Sequence, residues 1–144
     1  MPAGEPTPSA QPVDELGRPD FEELALHKYI GVKLVDREQR HLGCTFVVTP
    51  AIEGREGQLN GGVLSVILDA VAYLALEPSL AENEDAVSHD LHISMLKGVM
   101  SGQTVYLKGD LVQRGRRVAF VNAEARADGR LVATARITKT IIQH

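Results

Sequence analysis

A single apolar segment with one charge constrains this chain most. From Gly61 to Leu76 only Asp69 is charged at neutral pH, and the other positions are almost all valine, leucine, isoleucine or alanine. These residues would cover nearly the whole circumference of a helix, which predicts a helix buried on most sides rather than an amphipathic one. A carboxylate there is costly unless it is paired, hydrogen-bonded or protonated. Ser65 and Tyr73, four residues to either side of Asp69, share its face.

The start of this helix offers a second chemical group. Asn60 is a good N-cap residue, and Gly61 and Gly62 follow it without side chains that would shield the first backbone amides. Those amides lack partners within the helix and lie at the positive end of its dipole, where an anion or a polarised carbonyl oxygen can bind. The same pattern also fits a capped core helix whose Asp69 is satisfied by a neighbouring strand. Spacing alone leaves both interpretations open.

Size, composition and charge exclude several classes of protein. A chain of 144 residues with 44% hydrophobic residues is large enough for one ordinary core. The net charge of −4 argues against a broad nucleic-acid-binding surface. The single cysteine, Cys44, excludes an internal disulfide, and the five histidines show no ligand spacing, so no metal site is predicted.

Composition along the chain predicts the domain limits and the cellular location of the protein. Residues 1–19 hold five of the seven prolines among Gly, Ser, Thr and Glu, which predicts a mobile N-terminal tail before a single domain over residues 20–144. The N-terminus lacks a basic region followed by an apolar core, and the apolar segment 61–76 is too short for a membrane span. We therefore predict a cytoplasmic protein with no membrane partner.

The remaining chain shows strand patterns joined by turns. A short helix capped by Asp20 is predicted over residues 21–30, and two strands joined by a hairpin turn follow between residues 31 and 50. Four strands are predicted over residues 86–96, 104–113, 118–127 and 131–142, the last two linked by the hairpin signal Asp128-Gly129. Consecutive strands with short turns imply an antiparallel sheet. The prediction is an α+β fold in which a curved antiparallel sheet wraps around one long central helix.

Alternation within the strands predicts which side chains face the helix. In residues 86–96 one face holds Val87, Leu91, Ile93 and Met95, and the other holds Ser88, Asp90, His92 and Ser94. The strand 118–127 offers a row of small side chains, which suits close packing against a bulky helix: Ala119, Val121, Ala123, Ala125 and Ala127.

Several local motifs accompany this order of elements. The central one is Leu59-Asn60-Gly61-Gly62 followed by Asp69; further stretches are Val87-Ser88-His89-Asp90-Leu91, Gly115-Arg116-Arg117-Val118-Ala119-Phe120-Val121 and Asp128-Gly129-Arg130-Leu131-Val132-Ala133. Together they resemble the hotdog fold, in particular acyl-CoA thioesterases of the phenylacetic-acid-degradation type. The resemblance covers roughly residues 30–142.

The resemblance implies a set of catalytic roles. Asp69 would act as general base toward water or as nucleophile, the backbone amide of Gly61 would polarise the thioester carbonyl, and Ser88 would help place the water or the carboxylate. It also implies a homodimer or a dimer of dimers with active sites between subunits, and no cofactor beyond the coenzyme A of the substrate. Asn60 stands where the family usually has histidine; asparagine caps a helix and hydrogen-bonds a carbonyl, but it cannot exchange protons.

Candidate substrate contacts lie on the helix and on one turn. Gly62, Ser65 and Tyr73 share the helix with Asp69. Arg116 and Arg117, beside Arg114, are candidates for the phosphates of coenzyme A, as are Arg136 and Lys139 on the last strand. A solvated turn and a solvated strand edge are the alternative interpretation of these five residues.

The predicted function is hydrolysis of an acyl-CoA thioester to free acid and CoA. A hotdog hydratase would need a catalytic histidine near the helix, and no matching motif is present. The alternative is a non-catalytic hotdog protein that binds acyl-CoA or another apolar ligand. Asn60 makes this credible, and so does Gly54, which stands where many members of the resembled family have an asparagine. With 4% aromatic residues, an aliphatic pocket is expected, and the acyl group itself is not predicted.

Overall fold

The central feature of the computed structural model, which describes residues 3–144, is one long helix held in a curved six-stranded sheet. The elements in chain order are α1 Ala25–Ile30, β1 Lys33–Leu34, β2 Cys44–Val47, α2 Gly61–Leu76, β3 Glu84–Met95, β4 Thr104–Arg114, β5 Val118–Ala127 and β6 Arg130–Gln143. Short 3₁₀ turns cover Arg40–Leu42, Pro50–Ile52, Arg55–Gly57 and Glu77–Ser79. The predicted order of helix, two strands, long helix and four strands is confirmed, and so is the α+β class.

Every strand pairs antiparallel with its neighbours, in the order β1-β2-β4-β5-β6-β3. The hairpin between β5 and β6 turns at Asp128 and Gly129, whose φ angles of 51° and 73° are the positive values that a tight two-residue hairpin requires. The 12-residue strand β3 forms one edge of the sheet and the two-residue strand β1 forms the other.

The sheet covers α2 mainly through β4 and β5. Gly109 of β4 permits the closest approach, because a Cβ atom at this position would lie 2.5 Å from the carbonyl oxygen of Val71. The buried side chains of α2 pack on this side: Leu64, Ile67, Leu68, Val71, Ala72, Leu74 and Leu76. Together with the 3₁₀ turn that follows it, the helical stretch Gly61–Ser79 is long and apolar enough to cross a membrane, so the prediction that the apolar segment is too short for a span does not hold for the whole stretch.

The prediction that α2 is buried on most sides holds only in part for the single chain. A stripe beginning at Gly61 and Gly62 and continuing through Val66 and Asp69 stays at least partly exposed. The reason is geometric: one curved sheet can enclose only part of a helix, and the opposite side needs another layer to cover it. The carboxylate of Asp69 therefore keeps access to solvent, with 33% of its side chain exposed.

The predicted facing of β3 is partly wrong because this strand contains a bulge. The pairing with β6 shifts between Ser88, which lies opposite Lys139, and Asp90, which lies opposite Thr138. The extra residue, His89, reverses the alternation at this point. As a result Ser88 faces α2 on the same side as Leu91, whereas the alternation rule placed it on the opposite face.

The first helix is shorter than predicted, and its cap differs. Helix α1 begins at Ala25, its N-cap position is Leu24, and no side chain caps it. The predicted cap, Asp20, instead accepts the backbone N–H groups of Glu23 and Leu24 with its carbonyl oxygen, closing a turn. The ring of His27 bonds the carbonyl oxygen of Phe21 at 2.8 Å, which ties this turn to α1.

The segment before Asp20 touches the domain at its C-terminal part. Asp14 lies 3.4 Å from the guanidinium of Arg40, a side chain that is almost fully buried and also contacts the carbonyl oxygen of Pro19 at 3.1 Å. Arg40 pairs in turn with Glu77 after the end of α2, where burial raises the pKa of the Glu77 carboxyl. The mobility predicted for residues 1–19 stays a prediction.

Candidate functional site

The beginning of α2 is fixed by its cap. Asn60 has the extended backbone of an N-cap residue, and its Oδ1 accepts the N–H of Gly62 at 2.8 Å, so the predicted cap is confirmed. A Cβ atom on Gly62 would lie 3.0 Å from this oxygen, so the absence of a side chain there lets the cap close. Within residues 3–144 the N–H of Gly61 has no acceptor, and Gly61 is exposed. This amide is therefore free for a ligand oxygen.

Two turns further along α2, Asp69 meets two side chains of the sheet. Ser88 of β3 donates its hydroxyl to Oδ1 of Asp69 at 2.5 Å. The ammonium of Lys139 on β6 lies 2.8 Å from the same Oδ1, 2.8 Å from Oγ of Ser88 and 3.3 Å from the carbonyl oxygen of Asp69. Asp69, Ser88 and Lys139 thus form one closed cluster, with each member bonded to the other two.

The position of Lys139 in this cluster differs from the predicted one, as does that of Ser88. Lys139 was expected beside Arg136 as a phosphate contact or on a solvated edge, but its side chain is only 4% exposed and it faces α2. Arg136 lies three residues before Lys139 on β6, so its side chain faces the opposite side of the sheet; its partners across the sheet are His92 and Asn122. A signal was present, because the alternation of Ala133, Ala135 and Ile137 continues to position 139.

Ser65 and Tyr73 flank Asp69 as their spacing predicts, but both hydroxyl groups already have partners. Ser65 donates to the carbonyl oxygen of Gly61 at 2.8 Å, within the first turn of the helix. Tyr73 donates to Asp85 at 2.9 Å; burial, and then this bond, raise the pKa of the Tyr73 phenol. The Tyr73 ring centre lies 5.9 Å from the Lys139 ammonium. Contacts of Ser65 and Tyr73 with a substrate stay a prediction.

The arginines of the β4–β5 turn fall into two kinds. Arg114 bonds the carboxylate of Glu84 and the carbonyl oxygen of Gly115, so its guanidinium is already engaged. Arg116 and Arg117 are exposed and form no ion pair with any residue in the described chain, 3–144. The turn lies beside β6, the strand that carries Lys139, because the carbonyl oxygen of Arg117 accepts the N–H of Ile141 at 2.7 Å.

Other reactive groups lie outside this region. Cys44 is fully buried in the core, and burial raises the pKa of its thiol to about 12, which keeps it protonated and unreactive. Among residues 3–144 no group of three or more His, Cys, Asp and Glu side chains is arranged to hold a metal ion.

Comparisons with known proteins agree with this fold. The family model of the thioesterase superfamily matches residues 56–134, more than half of the chain. A phenylacetic acid degradation-related protein of Ralstonia eutropha JMP134 is similar in structure with a TM-score of 0.70 and 31% identity, covering 81% of this chain and 89% of that one. A thioesterase of Haemophilus influenzae has a TM-score of 0.73 at 22% identity, with 81% of each chain covered.

A further similar structure was determined with a ligand. A Streptococcus mutans protein bound to acetyl-CoA has a TM-score of 0.70 and 24% identity, covering 78% of this chain and 89% of that one. A sequence comparison with curated proteins gives no match. The helix is wrapped in an antiparallel sheet, the family model matches more than half of the chain, and the Ralstonia protein is similar over most of its length. The chain therefore belongs to the thioesterase superfamily and has the hotdog fold.

Proposed function

We propose that this protein hydrolyses acyl-CoA thioesters to a free acid and CoA. The observation that carries the proposal is that the N–H of Gly61, which has no acceptor within residues 3–144, and the accessible carboxylate of Asp69 lie two turns apart on one helix. The family supplies thioester chemistry, and the acetyl-CoA-bound Streptococcus mutans protein supports CoA as the carrier.

In the proposed reaction the amide of Gly61 stabilises the developing oxyanion, and Asp69 acts as the base or the nucleophile. Negative charge grows on the carbonyl oxygen as the carbonyl carbon is attacked, and the N–H of Gly61 stabilises it; losing one such donor typically costs about 10²–10³ in rate. In one route Asp69 takes a proton from the attacking water, the carbon–sulfur bond of the tetrahedral intermediate breaks, and the proton passes from Asp69 to the sulfur, so that CoA leaves as the thiol. In the other route Asp69 attacks the carbonyl carbon, the carbon–sulfur bond breaks with CoA leaving as the thiolate, and water then hydrolyses the acyl–Asp69 anhydride, releasing the acid and the proton that the thiolate takes up.

The asparagine at the helix start gives a first variant prediction. Asn60→Ala removes the acceptor for the Gly62 amide, which should lower the free energy of unfolding by about 1 kcal/mol and loosen the amide of Gly61. Asn60→Asp keeps a good cap but brings negative charge beside the developing oxyanion. We expect Asn60→Asp to keep the wild-type melting temperature and lose turnover, as measured by thermal unfolding and initial rates. Full activity in Asn60→Asp would show that the oxyanion does not form at this helix end.

Coenzyme A would bind with its phosphates at the β4–β5 turn. Arg116 and Arg117 are exposed and without carboxylate partners among the residues described, whereas Arg114 is engaged by Glu84. Guanidinium groups bind phosphate oxygens in bidentate geometry. This assignment predicts that replacing both arginines raises KM for an acyl-CoA more than it lowers kcat.

The exposed edge of the sheet favours a homodimer as the active form. Strand β3 is long, lies at the edge and exposes Val87, Leu91 and Met95. An uncovered edge of this kind is a ready partner for a second strand. Because Ser88 lies on the same strand, a second copy docked there would help enclose the site. Sedimentation of the purified protein tests the proposed dimer.

A panel of acyl-CoAs tests the proposed activity directly. Loss of the thioester is followed by ultraviolet absorbance, and we expect steady turnover with at least one member. A second candidate, a protein that binds acyl-CoA without hydrolysing it, is favoured by Asn60, which cannot exchange protons. Thermal stabilisation by acyl-CoA without release of CoA would support that candidate and contradict hydrolysis.

A further inference from the structure

The buried ammonium of Lys139 has no assigned role in the proposed reaction. We propose that Lys139 is a positioning residue that fixes Asp69 and Ser88 in the geometry needed for thioester hydrolysis; this inference rests on the proposed function. Lys139 does not itself touch the reacting atoms. It acts through the carboxylate of Asp69 and the hydroxyl of Ser88.

The fold leaves Lys139 few alternatives. It occupies the helix-facing side of β6 between Ile137 and Ile141, and its neighbour across the sheet on β5 is Ala119. Asp69 is the one carboxylate within ion-pair distance of its ammonium among residues 3–144. Three acceptors surround the ammonium, and they match its three N–H donors: Oδ1 and the carbonyl oxygen of Asp69, and Oγ of Ser88.

This arrangement distinguishes the two oxygens of the carboxylate. Ser88 and Lys139 both bond Oδ1 of Asp69, and within the described residues Oδ2 forms no hydrogen bond. The hydroxyl of Ser88 donates its proton to Oδ1 because its oxygen accepts from Lys139. The carboxylate is thereby held by one oxygen, and Oδ2 is the oxygen left to meet water or the thioester.

A stabilising role alone does not account for a lysine here. Buried ion pairs are often no more stabilising than well-packed apolar side chains of similar volume. What the ammonium adds over an apolar chain is a fixed direction for its three partners. Misplacing a reacting group by about 1 Å can cost about 10² in rate.

The test compares Lys139→Met with Lys108→Met in the acyl-CoA assay. Methionine keeps an unbranched chain of similar length without the charge, and Lys108 is an exposed lysine on the other face of the sheet. We expect Lys139→Met to lower kcat by about 10²-fold with KM changed by less than about threefold, and Lys108→Met to match the wild type. In an Asp69→Asn background, Lys139→Met should lower kcat no further, because both changes disable one unit.

The outcomes of this test distinguish a failure of the role proposed for Lys139 from a failure of the proposed function. If Lys139→Met keeps wild-type turnover, the proposed role of Lys139 is overturned and the proposed function is not. The same conclusion follows if Lys139→Met lowers kcat by the same factor in the Asp69→Asn background as in the wild type. No turnover of any acyl-CoA by the wild type would overturn the proposed function, and the role of Lys139 with it. If Lys139→Met does not fold, Lys139→Gln takes its place; its neutral amide has two N–H donors for three acceptors, so kcat should still fall with KM little changed.

Discussion

Replacing Asp69 with asparagine should lower kcat for the best acyl-CoA by about 10²–10⁴-fold. The amide has nearly the shape of the carboxylate and keeps one oxygen that can accept from Ser88 and Lys139. It can neither take a proton from water nor attack a thioester. The loss should therefore appear in kcat, with the fold kept, and thioester absorbance and circular dichroism measure the two.

The matched control for this change is Asp110→Asn. Asp110 is an exposed carboxylate on β4, opposite Asn122 in the sheet and away from α2, so the variant loses the same charge outside the site. We expect it to keep wild-type kcat and KM. Turnover that persists in Asp69→Asn would instead show that the helix carboxylate is structural, satisfied by its neighbouring strands, and would refute the proposed mechanism.

The second large effect is expected at Gly43, the residue immediately before β2. Its φ is +99°, a conformation that L side chains rarely adopt, and a Cβ atom would lie 2.0 Å from the carbonyl oxygen of Leu107 on β4. Gly43→Ala must therefore strain the backbone and push apart the pairing of β2 with β4. The expected loss is about 3 kcal/mol or more of unfolding free energy, or about 10 °C in melting temperature.

Gly102→Ala separates the two causes of that loss. Gly102 has a similar φ of +92°, but nothing lies within 4 Å of the position a Cβ atom would take. It reports the backbone strain without the collision, so its melting temperature should fall by much less. Equal losses in the two variants, compared at one protein concentration, would contradict the steric part of the argument.

The elements that sequence predicted well are those specified by neighbouring residues. The limits of α2 and its Asn60 cap follow from an apolar run that starts after a capping residue and two glycines. The turn at Asp128 and Gly129 follows from the positive φ angles that this pair tolerates. The curved sheet around one helix follows from the spacing of strands and turns.

The residues of the candidate site are only partly specified by their neighbours in the sequence. Asp69 stands out in sequence because a lone charge in an apolar helix is costly, and Gly61 because it follows a cap. Ser88 was assigned by resemblance, although simple alternation put it on the wrong face. No local pattern marks His89 as the extra residue of a bulge, since a bulge is defined by the pairing of β3 with β6, about 50 residues further along the chain.

Sequence by itself therefore determined the helix, its capped and unshielded start, and the single carboxylate within it. Tertiary structure alone decided that Ser88 turns toward that carboxylate, that Lys139 is buried against both, and that one side of α2 remains uncovered. The physical reason is range. Periodicity and capping act over a few residues, whereas strand register, bulges and the closing of an ion pair depend on contacts between segments distant in the chain.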